Sequence, residues 1–312
     1  MEEIRIIVLC SSRFGLPAIR ELSFYGILSV VVVPASHIEM IEQLEAGLSG
    51  SSIALVQLKE KNYVSQLEEL MKAHRITLGL ILNFPKKIPL SVQVLAPKGF
   101  YNVHPGPLPQ YRGADPVFMQ IINREPLAGV SIHKLDEDFD SGEVVLTEMI
   151  RLDPRDTYGM LTTRLAALAV KMVGILIRMA AHGIRIPSKP QDAALARYYP
   201  KQRASDIVIR WSEMEAVEII ALVNACNPWN KGAVTSLNNQ VVRIVDAMQI
   251  ENEQLANAFS GEIISCDERG IMVATINGEC ILVVSIYTEE GFLGAWRFAD
   301  NGFKQGARFT EI

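Results

Sequence analysis

Short apolar runs alternate with stretches of helical periodicity over the first 150 residues, and this alternation constrains the fold more than any other feature. Runs rich in β-branched residues, typical of buried strands, occupy residues 4–10, 27–34, 76–82 and 99–103. Stretches typical of helices lie between the first three runs, at residues 17–23, 39–47 and 63–74. Such alternation predicts an α/β fold with a doubly wound, mostly parallel sheet covered on both faces.

The pattern changes after residue 184. A long helix is predicted over residues 156–181, with Asp156 or Thr157 as its N-cap and Gly183 at its end. Residues 185–203 contain three prolines and show no clear periodicity, which is typical of a linker. We therefore predict an N-terminal domain over residues 1–184, a linker over 185–203 and a C-terminal domain over 204–312.

The C-terminal part combines one helix with several short strands. Ser212 and Glu215 form a capping box that predicts a helix start. Strand-like runs follow at residues 233–237, 241–245, 261–265, 271–276 and 280–286. Asn277 and Gly278, between the last two runs, are a strong hairpin signal. One helix and about five strands predict a small barrel of the oligonucleotide-binding (OB) type.

Composition narrows the class of protein. The 312 residues carry a net charge of −5, which excludes a basic surface over the whole chain. The N-terminus lacks the pattern of a signal peptide, and the apolar stretch 165–181 carries Lys171 and Arg178 and falls short of the ~20 apolar residues that span a bilayer. The four cysteines form no C-x-x-C pair, so they signal neither a zinc knuckle nor a redox dithiol. We expect reduced thiols in the cytoplasm and no membrane association.

Chemistry-bearing residues concentrate between residues 82 and 143. Asn102 and His104 lie two apart at the end of a predicted strand, so their side chains share one side, at the sheet edge where ligands bind. A loop rich in proline and glycine follows them. Carboxylates that a later loop offers are Asp136, Glu137, Asp138 and Asp140. An amide, an imidazole and a carboxylate together suit acyl transfer, because they bond an oxyanion, hold a proton and orient the imidazole.

Other interpretations of these residues stand beside this one. An isolated Asn-x-His and an acidic loop are often purely structural. One histidine with several aspartates also suits a divalent cation, but the chain has no H-x-x-x-H or H-E-x-x-H pattern, so we predict no metal. His133, alone in a strand, is interpreted as structural. The chain also lacks the G-x-G-x-x-G of nicotinamide sites, the G-x-x-x-x-G-K of ATP sites and the G-x-S-x-G of hydrolases.

Several ordered motifs resemble the formyltransferases that use 10-formyltetrahydrofolate. They are Asn-Val-His-Pro at 102–105, Leu-Pro-Gln-Tyr-Arg-Gly-Ala-Asp-Pro at 108–116, Gly-Val-Ser-Ile at 129–132 and Asp-Ser-Gly at 140–142. Residues 156–159, 209–212 and 227–229 extend the resemblance toward the C-terminus. The pattern is nearest to that of methionyl-tRNA formyltransferases and also resembles nucleotide amino-sugar N-formyltransferases.

This resemblance implies a formyltransferase domain followed by a small barrel, and transfer of a formyl group from folate N10 to an amine without a metal. It places the catalytic roles on Asn102, His104 and Asp140. Asn102 and His104 are expected to hydrogen-bond the oxyanion, while Asp140 pairs with His104 and favours its charged form. By the same resemblance the cosubstrate, 10-formyltetrahydrofolate, contacts two segments through Phe84, Pro85, Ile88, Pro89, Asp136 and Asp138. Leu108, Tyr111, Arg112 and Gly113 are expected to shape the substrate entrance.

The charge distribution bears on the acceptor amine. Methionyl-tRNA formyltransferases carry a basic insertion after the second strand, whereas this chain has no lysine or arginine between Arg20 and Lys59. Residues 203–312 contain eight lysines and arginines against fifteen aspartates and glutamates. RNA binding depends on basic residues, so we predict a small amine acceptor, such as a nucleotide-linked amino sugar, with tRNA as the alternative. Hydrolysis of formylfolate and non-catalytic folate binding are alternatives of another class.

Overall fold

The computed structural model describes residues 3–250, 258–297 and 304–312. The chain forms two compact units. The first comprises Met1–Pro116, Leu127–Ile150 and Thr162–Tyr199, and the second comprises Val117–Pro126, Arg151–Leu161 and Pro200–Ile312. The second unit therefore takes in two short segments that the sequence assigned to the N-terminal domain.

The first unit is built on a seven-stranded sheet. The strands up to Tyr199 are β1 (Ile6–Cys10), β2 (Leu28–Pro34), β3 (Ala54–Leu58), β4 (Leu78–Leu82), β5 (Phe100–His104), β6 (Arg112–Gly113), β7 (Leu127–Lys134), β8 (Val144–Arg151) and β9 (Tyr198–Tyr199). The sheet order is β3-β2-β1-β4-β5-β7-β8. Strands β1 to β5 pair in parallel, and β7 pairs antiparallel with β5. The mostly parallel, Rossmann-like sheet confirms the predicted fold class.

Helices accompany these strands. They are α1 (Leu16–Phe24), α2 (Ile38–Leu48), α3 (Tyr63–Ala73), α4 (Leu90–Gln93), α5 (Pro116–Ile122) and α6 (Tyr158–Ala181), with 3-10 turns at Arg13–Gly15 and Ala193–Leu195. The sequence missed β3, β6, β8, β9, α4 and α5. Strand β3 is only partly buried and contains Gln57, so it lacks the continuous apolar run of the central strands.

The apolar runs of the sequence form the buried central strands of the sheet. Every residue of β1 and of β4 is buried, as expected for parallel strands covered on both faces. Helix α6 is the one helix in the described residues that is long and apolar enough to cross a membrane. Its buried residues include Leu165, Ala169, Met172 and Leu176, whose spacing is that of a helix with one face in a protein core.

The predicted linker is not a free connection. Residues Val144 and Lys189 exchange two backbone hydrogen bonds of 2.9 and 2.8 Å, and β9 pairs in parallel with β6. Its residues up to Tyr199 belong to the first unit, because their backbone groups find partners there. The predicted domain limits differ from the unit limits on this point.

The second unit contains α7 (Ala216–Ala225) and the strands β10 (Ala233–Leu237), β11 (Gln240–Ile250), β12 (Ile263–Asp267), β13 (Gly270–Ala274), β14 (Cys280–Thr288), β15 (Gly291–Gly294) and β16 (Phe309–Thr310), with 3-10 turns at Ala204–Ile207 and Ile276–Gly278. The order is β12-β13-β14-β11-β10-β16, and β15 pairs with β14. This curled antiparallel sheet forms a half-barrel consistent with the predicted OB-like domain.

Two local predictions in this unit meet different outcomes. Asn277 and Gly278 both have positive φ, and they connect the antiparallel pair β13 and β14 as predicted. The predicted cap Ser212 is wrong: Glu215 is the N-cap of α7, and its backbone N–H donates to Glu218 at 3.0 Å. Ser212 instead donates to Glu311 at 2.7 Å, because the helix begins one turn later.

None of the four cysteines forms a disulfide bond. Cys10 and Cys226 are buried. Burial raises the pKa of each of these two thiols to about 12. Both are therefore protonated at neutral pH and behave as apolar core groups.

Candidate active site

The carboxyl end of β5 carries the first two candidate residues. Asn102 and His104 lie on the same side of the strand, and His104 is buried. Strand β5 lies between β4 and β7, and its register with β7 pairs Asn102 with His133 and His104 with Ser131. The site therefore forms where the sheet changes from parallel to antiparallel pairing.

The loop after β7 carries Asp140 into the same place. Asp140 has a φ of 58°, a left-handed conformation that aspartate tolerates better than most residues. Only glycine fits at position 142, because a Cβ there would lie 1.9 Å from the carbonyl oxygen of Lys134. The backbone N–H of Gly113 donates to Asp140 Oδ2 at 2.9 Å. These local constraints turn a buried carboxylate toward β5.

The three side chains predicted to act together lie in contact. The amide Nδ2 of Asn102 donates to Asp140 Oδ1 at 3.1 Å. The same carboxylate oxygen lies 3.4 Å from Nδ1 of His104. The other ring nitrogen of His104, Nε2, donates to the carbonyl oxygen of Tyr111 at 2.5 Å. An amide, an imidazole and a carboxylate thus form one connected cluster.

A fourth residue, His133, joins the cluster. Its Nδ1 lies 2.7 Å from the carbonyl oxygen of Lys134, which only accepts, so Nδ1 carries a proton. In the neutral ring Nε2 then accepts from Asn102 Nδ2, 3.0 Å away. The sequence interpretation of His133 as structural missed this contact, because it depends on the antiparallel register of β5 and β7. The one feature of the sequence that could have indicated this contact is that Asn102 and His133 each lie in a strand.

Burial and charge set the protonation of the cluster. Burial by itself raises the pKa of Asp140, but His104, His133 and the Gly113 N–H together bring it well below its ordinary value of 3.8. Asp140 is therefore ionised at neutral pH. Burial is the largest influence on His104 and lowers its pKa below 6.5, although Asp140 and the Tyr111 carbonyl act in the opposite direction. The predicted preference for charged His104 is thus outweighed by burial.

A cleft opens beside the cluster. It encloses about 410 Å³ of empty space, part of it open to solvent. Its wall combines apolar, basic and acidic side chains: Ile81, Phe84, Lys86, Lys87, Ile88, Asn102, His133, Leu135, Asp136, Asp138, Phe139 and Asp140. The cleft therefore connects Asn102 and Asp140 to the surface between the segment after β4 and the loop after β7.

Four of the six residues predicted to contact the cosubstrate line this cleft: Phe84, Ile88, Asp136 and Asp138. Pro85 and Pro89 are not among its lining residues. Lys87 connects the two walls, because its Nζ donates to the carbonyl of Glu137 at 2.6 Å and lies 3.5 Å from a carboxylate oxygen of Asp138.

The residues predicted at the substrate entrance have other contacts. Leu108 is buried, and its N–H donates to Ser131 Oγ at 3.0 Å. Tyr111 is buried, and its ring stacks on Tyr199 with centroids 5.5 Å apart. Arg112 donates to Gln191. None of these three, nor Gly113, is among the lining residues of the cleft. Their role at the entrance stays a prediction.

In residues 3–250, 258–297 and 304–312, no group of three histidine, cysteine, aspartate or glutamate side chains is arranged to hold a metal ion. The acidic side chains Asp136 and Asp138 are exposed, whereas the buried Asp140 is already held by Asn102 and Gly113.

Comparison with known proteins identifies both halves of the chain. Residues 29–175 match the formyl transferase family, and residues 201–293 match the formyl transferase C-terminal domain. A methionyl-tRNA formyltransferase of Syntrophus aciditrophicus is 30% identical over 90% of this chain and 91% of its own. That of Methylacidiphilum infernorum is 26% identical over 98% and 96%.

Solved structures share the fold at low identity. HypX of Aquifex aeolicus in complex with tetrahydrofolic acid has a TM-score of 0.66 and 18% identity. The match covers 97% of this chain, which spans about half of HypX (48%). An N-formyltransferase of Helicobacter canadensis, in complex with folinic acid and dTDP-3-aminofucose, has a TM-score of 0.67 and 14% identity over 90% of this chain and 98% of that one.

Proposed function

The chain belongs to the formyl transferase family and is a formyl-transferring enzyme, and from this we propose that it moves the formyl group of 10-formyltetrahydrofolate to an amine. One observation carries the proposal. A buried carboxylate, Asp140, contacts both the Asn102 amide and the His104 imidazole, and Asn102 and Asp140 line an open cleft. Acyl transfer uses such groups to stabilise an oxyanion and to hold a proton.

The proposed reaction forms one C–N bond and breaks another. The acceptor amine attacks the formyl carbon, and the carbonyl oxygen becomes an oxyanion. Asn102 stabilises that oxygen with one N–H, which leaves His133 Nε2 to do so. Collapse of the intermediate breaks the bond to N10, which takes the proton that the amine releases. His104 and Asp140 hold that proton between the two steps.

His104 has a less direct position than its predicted role requires. Its Nε2 donates to the Tyr111 carbonyl, and His104 is not among the lining residues of the cleft. A direct bond from His104 to the oxyanion therefore stays a prediction. In the geometry of this structure, the Nδ1 atom facing Asp140 is the place where His104 gains or loses a proton.

The cleft is chemically suited to a reduced pterin. Phe84, Ile88 and Leu135 offer apolar surface for the ring. Asp136 and Asp138 offer carboxylate oxygens to the amino and ring N–H groups of the pterin. Lys86 and Lys87 bring positive charge near the mouth, which suits the glutamate carboxylates that folates carry.

For the acceptor we propose a small amine, with a nucleotide-linked amino sugar as the first candidate. Helix α2 presents exposed Glu39, Glu42 and Glu45 and no basic residue. The excess of acidic over basic residues in 203–312 also disfavours binding of an RNA backbone.

We propose that the enzyme acts in the cytoplasm, where four cysteines without a disulfide are expected.

Methionyl-tRNA is the second candidate, and a specific observation favours it. The chain is 30% identical to a methionyl-tRNA formyltransferase over nine-tenths of both chains. The N-formyltransferase with a dTDP-sugar in its structure is a relative by fold only, at 14% identity. Charge and sequence identity therefore favour different acceptors.

The test is an acceptor panel. The enzyme is incubated with 10-formyltetrahydrofolate and either a set of dTDP- and UDP-amino sugars or charged initiator tRNA, and tetrahydrofolate release and formylated product are both measured. Formylation of an amino sugar supports the first candidate, whereas efficient formylation of tRNA overturns it.

Release of formate without any acceptor identifies a hydrolase. Absence of turnover despite donor binding identifies a folate-binding protein. Asn102→Ala is the inactive control.

A further inference from the structure

The segment after α6, which the sequence predicted as a linker, reaches the backbone of Asp140, the residue whose carboxylate is buried in the site. We define the strap as residues 188–199. Within it, Gln191 is partly buried and uses both ends of its side-chain amide. Its Nε2 donates to the carbonyl oxygens of Asp140 at 2.8 Å and Gly142 at 2.7 Å.

The other end of the same amide holds the opposite loop. Gln191 Oε1 accepts from Arg112 Nε at 3.0 Å and from Arg112 Nη2 at 2.8 Å. Arg112 precedes Gly113, whose backbone N–H donates to Asp140 Oδ2 at 2.9 Å. Gln191 therefore closes a ring of hydrogen bonds that contains both the backbone and the carboxylate of Asp140.

Further bonds hold the strap on both sides of this ring. Arg112 N–H donates to Arg197 O at 3.0 Å, and Ala114 N–H donates to Tyr199 O at 3.1 Å. On the other side Ser188 Oγ donates to Glu143 Oε2 at 2.6 Å. The strap thus spans the loop before α5 and the loop that carries Asp140, and Gln191 is its contact with Asp140 itself.

Two features of Asp140 make such support useful. Its backbone is in the left-handed region, which residues other than glycine adopt infrequently, and the residues immediately before it in the loop are exposed. We propose that Gln191 is a positioning residue for formyl transfer, which holds Asp140 against His104 and Asn102 through the two carbonyls and through Arg112. This inference rests on the proposed function and adds a residue from outside the family's catalytic motif.

The experiment compares three variants. Gln191→Ala removes all four bonds. Gln191→Glu keeps the acceptor for Arg112 but cannot donate to the two carbonyls. Ser188→Ala is the matched control, because it removes a strap bond that does not involve Asp140. Each variant is measured for kcat, for KM of both substrates, for thermal unfolding and for the titration of the histidine side chains by 15N NMR, with the His104 signal assigned from a His104→Gln spectrum.

We expect kcat of both Gln191 variants to fall about ten- to a hundredfold, the effect of a misplaced catalytic group, with both KM values within about twofold of wild type. Ser188→Ala keeps kcat within about twofold of wild type. In the Gln191 variants His104 titrates at lower pH, because the negative charge that raises its pKa is held less closely.

Two results would overturn the inference: unchanged kcat and His104 titration in Gln191→Ala, or an equal loss of kcat in Ser188→Ala. Failure of both Gln191 variants to fold would also overturn it, since Gln191 would then be a structural residue. The NMR titration separates this inference from the proposed function. If the wild type transfers formyl to no acceptor, the proposed function fails, yet the shift of His104 still reports whether Gln191 positions Asp140.

Discussion

Asp140 Oδ1 lies 3.4 Å from Nδ1 of His104, although the two residues come from a loop after β7 and from the end of β5. The same oxygen accepts from Asn102 at 3.1 Å. This single carboxylate oxygen therefore joins the amide and the imidazole into one unit.

Asp140→Asn should lower kcat by at least about a hundredfold, the scale seen when a catalytic constellation loses its geometry. Asparagine keeps the volume of the side chain but removes its charge. Its amide NH2 also replaces one of the two acceptor oxygens, so it must face either Asn102 Nδ2 or the Gly113 N–H, which are both donors. Steady-state kinetics with the accepted amine measures the loss. A variant with wild-type turnover would show that Asp140 has no part in the reaction.

The pH dependence of stability should carry the signature of Asp140. Its pKa in the folded protein lies below the value of 3.8 that it has when unfolded. The stability it contributes is therefore fully present above pH 3.8 and is lost as pH falls below that value toward the folded pKa. Urea unfolding between pH 6 and pH 3, in wild type and in Asp140→Asn, checks this. We expect a smaller loss on acidification in the variant, and equal losses would contradict the assignment.

His133→Leu should lower the free energy of unfolding by about 0.5–1.5 kcal/mol, the net contribution of an ordinary hydrogen bond, because it removes the acceptor of the half-buried Asn102 Nδ2. His133→Gln offers an acceptor at this place and should cost less. Chemical denaturation of both variants measures the difference. Equal destabilisation would indicate that His133 acts by filling space alone.

Gly142→Ala should displace the loop that carries Asp140, because the new Cβ would lie 1.9 Å from the backbone oxygen of Lys134. We expect kcat to fall by at least about tenfold as the carboxylate moves from His104. Gly47→Ala is the matched control. Gly47 lies in α2 with nothing within 4 Å of its added Cβ, so this change should stabilise the protein by about 0.5–1 kcal/mol without affecting kcat. Comparable kinetics of the two variants would contradict the role of Gly142.

Periodicity was enough to predict the fold class, and the spacing of the motif at the end of β5 was enough to predict that Asn102 and His104 share one side. Every residue of β1 and β4 is buried, as in any parallel sheet covered on both faces. A continuous apolar run is therefore enough to predict such a strand from its own residues. The resemblance to formyltransferases added Asp140, which no periodicity would have separated from its acidic neighbours Asp136 and Asp138.

The surroundings of Asn102, His104 and Asp140 depend on contacts between distant parts of the chain. The place of His133 beside Asn102 depends on the antiparallel register of β5 and β7. The contact of Gln191 with Asp140 depends on a segment without periodicity, whose backbone is paired by distant residues. Periodicity records which face of an element is buried, whereas the partners of polar groups are set by long-range contacts. Those partners could therefore be found only once the strands and the strap were in place.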